Sequence, residues 1–174
     1  MRLSQLLERL EYEVVQGTED IAITTLINDS RKVEPGSVFV CISGAVSDGH
    51  RFATEVADKG AAALIVEKEV EVPGDVTVIR VEDSRYALAL MSAAYFGYPA
   101  NKLKIIGITG TKGKTTTTYM IRSILEEVGR KVGLIGTIEA IIGEKHIPAA
   151  NTTPESYTIQ KYFAEMVEAG CDTV

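Results

Sequence analysis

The stretch "LKIIGITGTKGKTTTTYMIRSILEEVG", residues 103–129, decides the fold of the second half of the chain. It opens with an apolar run typical of a strand that is buried on both faces. A glycine-rich loop follows, and the stretch ends in a segment whose apolar residues recur at helical spacing. A buried strand, a turn and a helix in this order predict an α/β unit with a parallel sheet.

The loop in this stretch has the residue types that bind phosphate. Gly110 and Gly113 permit a tight path and a close backbone approach to an anion, and the start of the following helix adds partial positive charge. Lys114 can reach terminal phosphates, and the Thr115 hydroxyl can ligate Mg²⁺. The alternative is a turn that only caps the helix. Four consecutive threonines, residues 115–118, are a poor choice for a helix start, which favours a functional reason.

The spacing of the glycines departs from the common P-loop. That pattern places a glycine five residues before the Gly-Lys pair, and this chain has Ile108 there. The first glycine, Gly107, lies one residue too early. The loop therefore predicts a nucleotide-binding enzyme other than an ordinary GTPase or kinase.

Composition and charge limit the class of protein. The chain has 174 residues, 45% hydrophobic and 24% charged, which allows one large globular domain or two small ones. A net charge of -6 gives no general attraction to nucleic acid or anionic lipid, so we expect neither partner. Cys41 and Cys171 are expected to be buried thiols of a reducing compartment. Since the amphipathic start of the chain is neither a signal peptide nor a membrane span, we expect a cytoplasmic monomer.

The first half alternates strand and helix patterns, which predicts a parallel or mixed sheet. After a helix with Leu3, Leu6, Leu7 and Leu10 on one face, we expect strands at 37–42, 61–67 and 76–81 and helices at 49–60 and 84–99. The segment "GYPANK", residues 97–102, is the best linker candidate. We therefore predict two domains, residues 1–98 and 99–174.

The second half continues with a strand at 131–137, a hairpin or short excursion at 138–149, a helix at 153–170 and the start of a buried strand at 171–174. Two complete strands and part of a third would leave a sheet edge uncovered. We therefore expect the chain to be the front part of a longer protein. A second acidic ligand for the metal is expected beyond Val174.

Three stretches resemble one enzyme family. The Gly-Thr-x-Gly-Lys-Thr form from Gly110 to Thr115 resembles the ATP loop of the Mur ligases, the amide-forming enzymes of peptidoglycan precursor synthesis, and related folate and cyanophycin ligases share it. "NDSRKVEPGSVFVCISGAVSDGH", residues 28–50, resembles the uridine-nucleotide domain of the MurE and MurF branches. "ANTTPES", residues 150–156, resembles the MurE segment that contacts the UDP-muramoyl substrate. The resemblance covers essentially the whole chain and favours the MurE branch.

The resemblance implies a substrate domain for UDP-MurNAc at 1–98 and the first part of the central ATP-binding domain at 99–174. The implied reaction adds L-lysine or meso-diaminopimelate to UDP-MurNAc-L-Ala-D-Glu through an acyl phosphate, with ATP and Mg²⁺ as cofactors. The isolated chain is then expected to be inactive. The alternatives are a MurF-type ligase that adds D-Ala-D-Ala and a UDP-sugar-binding module without catalysis.

The resemblance also assigns residues to roles. Lys114 would be catalytic and Thr115 the metal ligand. The substrate would contact Asn28, Ser30, Asn151, Thr152 and Thr153, and the backbone of residues 45–47 would border the uridine pocket. The ATP-binding residues would be Gly110, Thr111, Lys112, Gly113, Lys114, Thr115 and Thr116.

Two of these motifs have structural alternatives. The segment "NDSR" can form a turn in which Asp29 and Arg31 make a local ion pair. The segment "NTTPES" can cap a helix, either with Thr153 as N-cap and Pro154 as first residue, or with Thr152 as N-cap in a capping box. A cap and a substrate site can coexist, because a helix N-terminus also suits a pyrophosphate.

Overall fold

The protein is described by a computed structural model that covers residues 1–44 and 47–174. It divides into two compact units, Met1–Tyr95 and Phe96–Val174. Each unit has its own sheet. The segment expected to be a linker carries a short 3-10 helix, Pro99–Lys102, whose Pro99 is buried within the second unit.

The described residues of the first unit form a mixed five-stranded sheet and three α-helices. The strands are β1 (Glu13–Gln16), β2 (Leu26–Ile27), β3 (Val38–Val40), β4 (Ala63–Val66) and β5 (Thr77–Arg80). The helices are α1 (Leu3–Leu7), α2 (Ala53–Asp58) and α3 (Ser84–Tyr95). The strand order is β1-β5-β4-β3-β2, with β1 antiparallel to β5 and the other pairs parallel. The predicted α/β class with a mixed sheet is confirmed.

Burial explains why these segments form a parallel sheet. Every residue of β3 and β4 is buried, as expected for central parallel strands that are covered on both faces. Phe39 and Leu64 from the sheet pack with Val56 of α2 in one core cluster. The predicted leucine face of α1 is confirmed for Leu3, Leu6 and Leu7, which are buried where α1 packs against α3. Leu10 lies beyond the end of the helix and is only partly buried.

The second unit contains two α-helices and a three-stranded antiparallel sheet. The helices are α4 (Lys114–Glu127) and α5 (Ser156–Glu168), and the strands are β6 (Leu134–Ile135), β7 (Glu139–Ile142) and β8 (Lys145–Pro148), in the order β6-β7-β8. The predicted hairpin is therefore confirmed as β7 and β8. None of the helices that the structure describes is long and apolar enough to cross a membrane.

Parallel pairing in the second unit is limited to isolated bridges. Thr173 pairs in parallel with Lys104 and with Val132, and the Ile106 N–H donates to the Val174 carbonyl at 2.9 Å. The predicted strand at 103–109, buried on both faces, is wrong, because the segment forms no regular strand and Ile105 remains 51% exposed. An apolar run becomes a buried strand only where neighbouring strands and helices cover it, and in this structure its backbone pairs with residues 172–174.

Close packing between α5 and the segment before β6 requires a glycine. A Cβ atom at Gly133 would lie 2.4 Å from Sδ and 2.7 Å from Cε of Met166, whose side chain is fully buried. The absence of a side chain at Gly133 thus allows Met166 to fill the core beneath α5. The two cysteines, Cys41 and Cys171, are buried and free, as predicted.

We expect Gly133→Ala to lower the free energy of unfolding of the second unit by about 1–3 kcal/mol, because the added methyl group overpacks a filled core. Urea denaturation measures the change. Gly107→Ala is the matched control, since it adds the same group in the same unit where no atom lies within 4 Å of the new Cβ. Equal effects of the two substitutions would contradict the packing argument.

Candidate functional site

The glycine-rich loop reaches α4 through a left-handed residue. Gly113 is the N-cap of α4 with φ of 81°, a conformation that residues with a Cβ rarely adopt. The Gly113 carbonyl accepts the first helical hydrogen bond, from the Thr117 N–H at 2.9 Å. The turn thus directs the backbone N–H groups of the first helical turn, which have no partner inside a helix, toward the loop.

The side chain of Lys114 adds a positive charge to the same place. Its ammonium group donates a hydrogen bond of 2.5 Å to the carbonyl of Gly110, so the side chain folds back over the loop. The first turn of α4 contains no acidic residue. Free amide groups, a helix N-terminus and an ammonium group at one point favour an anion such as phosphate.

One cavity joins the start of α4 to the segment before α5. The cavity has a volume of about 280 Å³ and is lined by Lys114 and Thr115 on α4 and by Thr152 and Thr153. Thr137, which follows β6, lines it as well. Residues predicted to bind ATP and residues predicted to bind the substrate therefore face a common space within the second unit.

The remaining predicted residues of the second unit lie around this cavity. Thr116 is exposed in a shallow groove on α4 that also contains Thr115. Asn151 lines a smaller neighbouring cavity of about 110 Å³, together with Thr158. The loop residues are all exposed, and they are Gly110, Thr111, Lys112 and Gly113.

The start of α5 differs from both predicted caps. Its N-cap is Glu155, which makes no capping hydrogen bond through its side chain, and neither Thr152 nor Thr153 occupies that position. Pro154 disfavours the helical conformation in the residue before it, and Glu155 is itself extended with ψ of 157°. Both cap predictions are therefore wrong, and the threonines lie outside the helix.

Asn28 and Ser30 lie in a turn that directly follows β2. Asp29 caps the short 3-10 helix Ser30–Lys32 by accepting a hydrogen bond from the Arg31 N–H at 3.1 Å. Arg31 also donates from Nε and Nη2 to the two carboxylate oxygens of Asp29, at 2.9 and 2.8 Å, so the predicted local ion pair is confirmed. The turn lies at the carboxyl end of a parallel strand, where α/β sheets usually bind ligands.

The backbone segment predicted to border the uridine pocket is described in part. Ala45 and Val46 lie outside the described residues. Ser47 is exposed, and its carbonyl accepts a hydrogen bond from the Gly44 N–H at 3.1 Å.

The Asp29–Arg31 ion pair leads us to expect that the stability of the turn depends on pH. The hydrogen bonds from Arg31 lower the pKa of Asp29 to about 2. A depressed pKa contributes stability that is present above the unfolded value of about 3.9 and is lost as the pH falls through the folded value.

We expect Arg31→Ala to raise the Asp29 pKa toward 3.9, measured by carboxyl ¹³C NMR titration. Lys32→Ala, which removes a more weakly coupled charge, should raise it less; an unchanged Asp29 pKa in Arg31→Ala would contradict the assignment.

The Asp-Gly-His part of the first unit has a structural role that sequence reasoning missed. The buried ring of His50 donates from Nδ1 to Asp48 at 2.7 Å and accepts at Nε2 from the Glu67 N–H at 2.9 Å. Gly49 is required because a Cβ there would lie 2.7 Å from the Ile42 backbone nitrogen. Hydrogen bonds from Lys68 and then His50 hold the Asp48 pKa well below its usual range. These contacts join the ends of β3 and β4.

A second polar cluster, on Glu139, was also missed by sequence reasoning. The Tyr119 hydroxyl donates to Oε1 of Glu139 at 2.6 Å, and His146 Nδ1 lies 2.7 Å from its Oε2. The hydrogen bond from Tyr119 is the main cause of a lowered Glu139 pKa, and the carboxylate in turn raises the pKa of Tyr119. The only local signal was the position of Glu139 at the start of the predicted hairpin, which does not reveal its partners.

Two family models match the chain. The model described as "Mur ligase middle domain" matches residues 108–174, and the model described as "Mur ligase family, catalytic domain" matches residues 22–96. The first match includes the phosphate-type loop from Gly110 to Thr115 and the segment with Thr152 and Thr153. The chain belongs to the Mur ligase family.

Curated proteins with similar sequences show which Mur ligases this chain is similar to. The chain is 51% identical over 172 residues to the UDP-N-acetylmuramoyl-L-alanyl-D-glutamate--2,6-diaminopimelate ligase of Clostridium perfringens, with 99% of this chain and 36% of that protein covered. It is 49% identical over 174 residues to the ligase of the same name from Bacillus velezensis, with 99% and 35% covered. The chain therefore spans about a third of the length of these relatives.

Solved structures with the same fold come from two branches. A structure of a UDP-N-acetylmuramoyl-L-alanyl-D-glutamate--2,6-diaminopimelate ligase matches with a TM-score of 0.74 at 22% identity, covering 99% of this chain and 34% of that one. MurF from Thermotoga maritima in complex with ADP matches with a TM-score of 0.54 at 26% identity, covering 82% and 29%. The chain thus has the fold of about a third of a Mur ligase structure.

Proposed function

We propose that this chain supplies the substrate-binding region and the first part of the ATP-binding domain of a MurE-type ligase. The reaction would join a diamino acid to UDP-MurNAc-L-Ala-D-Glu. The observation that carries the proposal is the common cavity, which brings Lys114 and Thr115 together with Thr152 and Thr153. The names of the similar proteins support the same reaction.

The chemistry requires activation of a carboxylate. A carboxylate oxygen is a poor leaving group, so the D-glutamate carboxylate first attacks the γ-phosphorus of ATP, and ADP departs. The amine nitrogen of the diamino acid then attacks the carbonyl carbon of the acyl phosphate, inorganic phosphate leaves, and the nitrogen loses a proton. The ligase must therefore hold the carboxylate and the triphosphate close together, which supplies much of the rate gain.

The phosphate end of ATP would lie at the start of α4. The Lys114 ammonium group would exchange its bond to the Gly110 carbonyl for a phosphate oxygen, and the amides after Gly113 would donate to neighbouring oxygens. These donors would stabilise charge on the transferred phosphoryl group. The exposed loop residues 110–113 leave room for the backbone to approach the phosphates.

The Thr115 hydroxyl would hold Mg²⁺ together with phosphate oxygens. Among the described residues there is no group of three or more His, Cys, Asp or Glu that could hold a metal ion. Mg²⁺ is usually bound by few protein ligands together with substrate phosphates and water, so a single hydroxyl on the loop helix fits this ion. When bound, the ion would neutralise negative charge on the phosphates.

The predicted contacts with the UDP-sugar substrate are proposed for each unit by itself. Asn151, Thr152 and Thr153 would bind it near the phosphate loop, and Asn28 and Ser30 would line the uridine pocket at the end of β2. The exposed position of these threonines outside α5 leaves their hydroxyl groups accessible, which supports a ligand role over a capping role.

The similar proteins favour MurE over MurF. The relatives at 44–51% identity are named as ligases for 2,6-diaminopimelate, which also favours that amino acid over lysine. The diaminopimelate ligase structure gives the higher TM-score, 0.74 against 0.54 for MurF from Thermotoga maritima. A cytoplasmic location remains part of the proposal, since ATP and UDP-activated precursors are the small molecules involved. The monomeric state stays a prediction from the sequence.

The phosphate role is tested by calorimetric titration of the chain with Mg·ADP. We expect Lys114→Ala to raise the dissociation constant at least about tenfold, because a charge-assisted hydrogen bond contributes about 1.5–3 kcal/mol. Lys112→Ala is the matched control and should have a smaller effect. Binding of UDP should be unchanged in both variants.

Two outcomes would contradict the proposal. Equal ADP affinities for Lys114→Ala and the unmodified chain would exclude the loop as the phosphate site. Binding of UDP by a chain that binds no Mg·ADP would instead favour a UDP-sugar-binding module without catalysis.

A further inference from the structure

Three elements of the second unit meet at the Glu139 carboxylate. Glu139 is the first residue of β7, Tyr119 lies on α4, and His146 lies on β8. Tyr119 donates to one carboxylate oxygen at 2.6 Å, and His146 donates to the other at 2.7 Å. Each oxygen therefore binds a different neighbouring element, and one side chain ties the hairpin to the phosphate-loop helix.

Backbone hydrogen bonds extend this tie to the walls of the cavity. The Gly136 N–H donates to the Glu139 carbonyl at 3.0 Å, which closes the turn that contains Thr137. The Ala149 N–H donates to the Ile138 carbonyl at 2.9 Å, immediately before the segment with Thr152. Both wall segments are therefore hydrogen-bonded to the backbone at Glu139 or at the residue before it.

Tyr119, the partner of Glu139 on α4, lies one turn after the start of that helix. Tyr119 follows Thr115 by four residues, so the two side chains lie on the same helical face. The Glu139 side chain is only 21% exposed, and hydrogen bonds to an ionised carboxylate are stronger than neutral ones. A tie at Tyr119 therefore restrains the helix close to Thr115 and Lys114.

We infer that Glu139 is a positioning residue, which acts through Tyr119 and His146 to hold the 136–139 turn and the start of the 150–153 segment against the phosphate-loop helix. The consequence for nucleotide binding rests on the proposed function. Glu139 and Tyr119 are not among the residues proposed to contact ATP or the substrate, so in this inference they set the geometry of the cavity without taking part in the chemistry.

Nucleotide affinity tests the consequence through Tyr119→Phe, Glu139→Gln and the double variant. We expect each single substitution to raise the Mg·ADP dissociation constant about three- to tenfold. The double variant should bind Mg·ADP with the same affinity as Glu139→Gln, because Tyr119 acts only through that carboxylate. Glu165→Gln is the matched control: it removes the 3.0 Å ion pair between Lys145 of β8 and α5, and it should leave ADP affinity unchanged.

The thermal midpoint separates positioning from loss of structure. Tyr119→Phe and Glu139→Gln should shift it no more than the Glu165→Gln control does. Additive losses of affinity in the double variant, or unchanged affinity in a chain that binds Mg·ADP, would overturn the inference.

Amide hydrogen exchange tests the same inference without nucleotide. The amides of Gly136 and Ala149 should exchange at least about fivefold faster in Glu139→Gln and at the unmodified rate in Glu165→Gln. Unchanged exchange at both amides would overturn the inference whether or not ADP binds. Faster exchange in a chain that binds no Mg·ADP would support the positioning role and count against the proposed function alone.

Discussion

The site depends on the left-handed turn at Gly113, where the phosphate-loop helix begins. A residue with a Cβ is strained in this conformation, so glycine is the residue that allows the loop to turn directly into α4. Because the turn is this tight, the N-terminus of α4 and the Lys114 ammonium group, which donates to the Gly110 carbonyl, converge at the loop. Binding of a polyphosphate requires that convergence, since isolated donors on a flexible loop would have to be ordered at an entropic cost.

The loop alone does not make the cavity. Thr173 pairs in parallel with Lys104, before α4, and with Val132, after α4, so the two segments that flank α4 lie beside the same residue. Because Gly133 has no side chain, α5 packs closely against it through Met166. The Glu139 carboxylate then fixes the hairpin against α4. Lys114 and Thr115 therefore line the same cavity as the threonines before α5, because both this packing and the hydrogen bonds of Glu139 hold the surrounding segments together.

Much of this architecture could be predicted from sequence, because it follows from local patterns. The helix of α4, the β7–β8 hairpin and the mixed sheet of the first unit follow from periodicity and turn residues. The buried strand at 103–109 was predicted wrongly, since the apolarity of a segment does not show which neighbours cover it. The cap of α5 was missed because Pro154 and Glu155 delay the helix. The ties of Glu139 join side chains that are 20 and 7 residues apart, and no local pattern encodes such contacts.

Backbone amide NMR of the chain during titration with Mg·ADP tests the central claim most directly, because amide shifts report the groups that gain phosphate contacts. The account predicts saturable changes that are largest for residues 110–116, with smaller changes for the 150–153 segment. Saturable changes centred on another part of the chain, with residues 110–116 unaffected, would contradict a phosphate site at the start of α4.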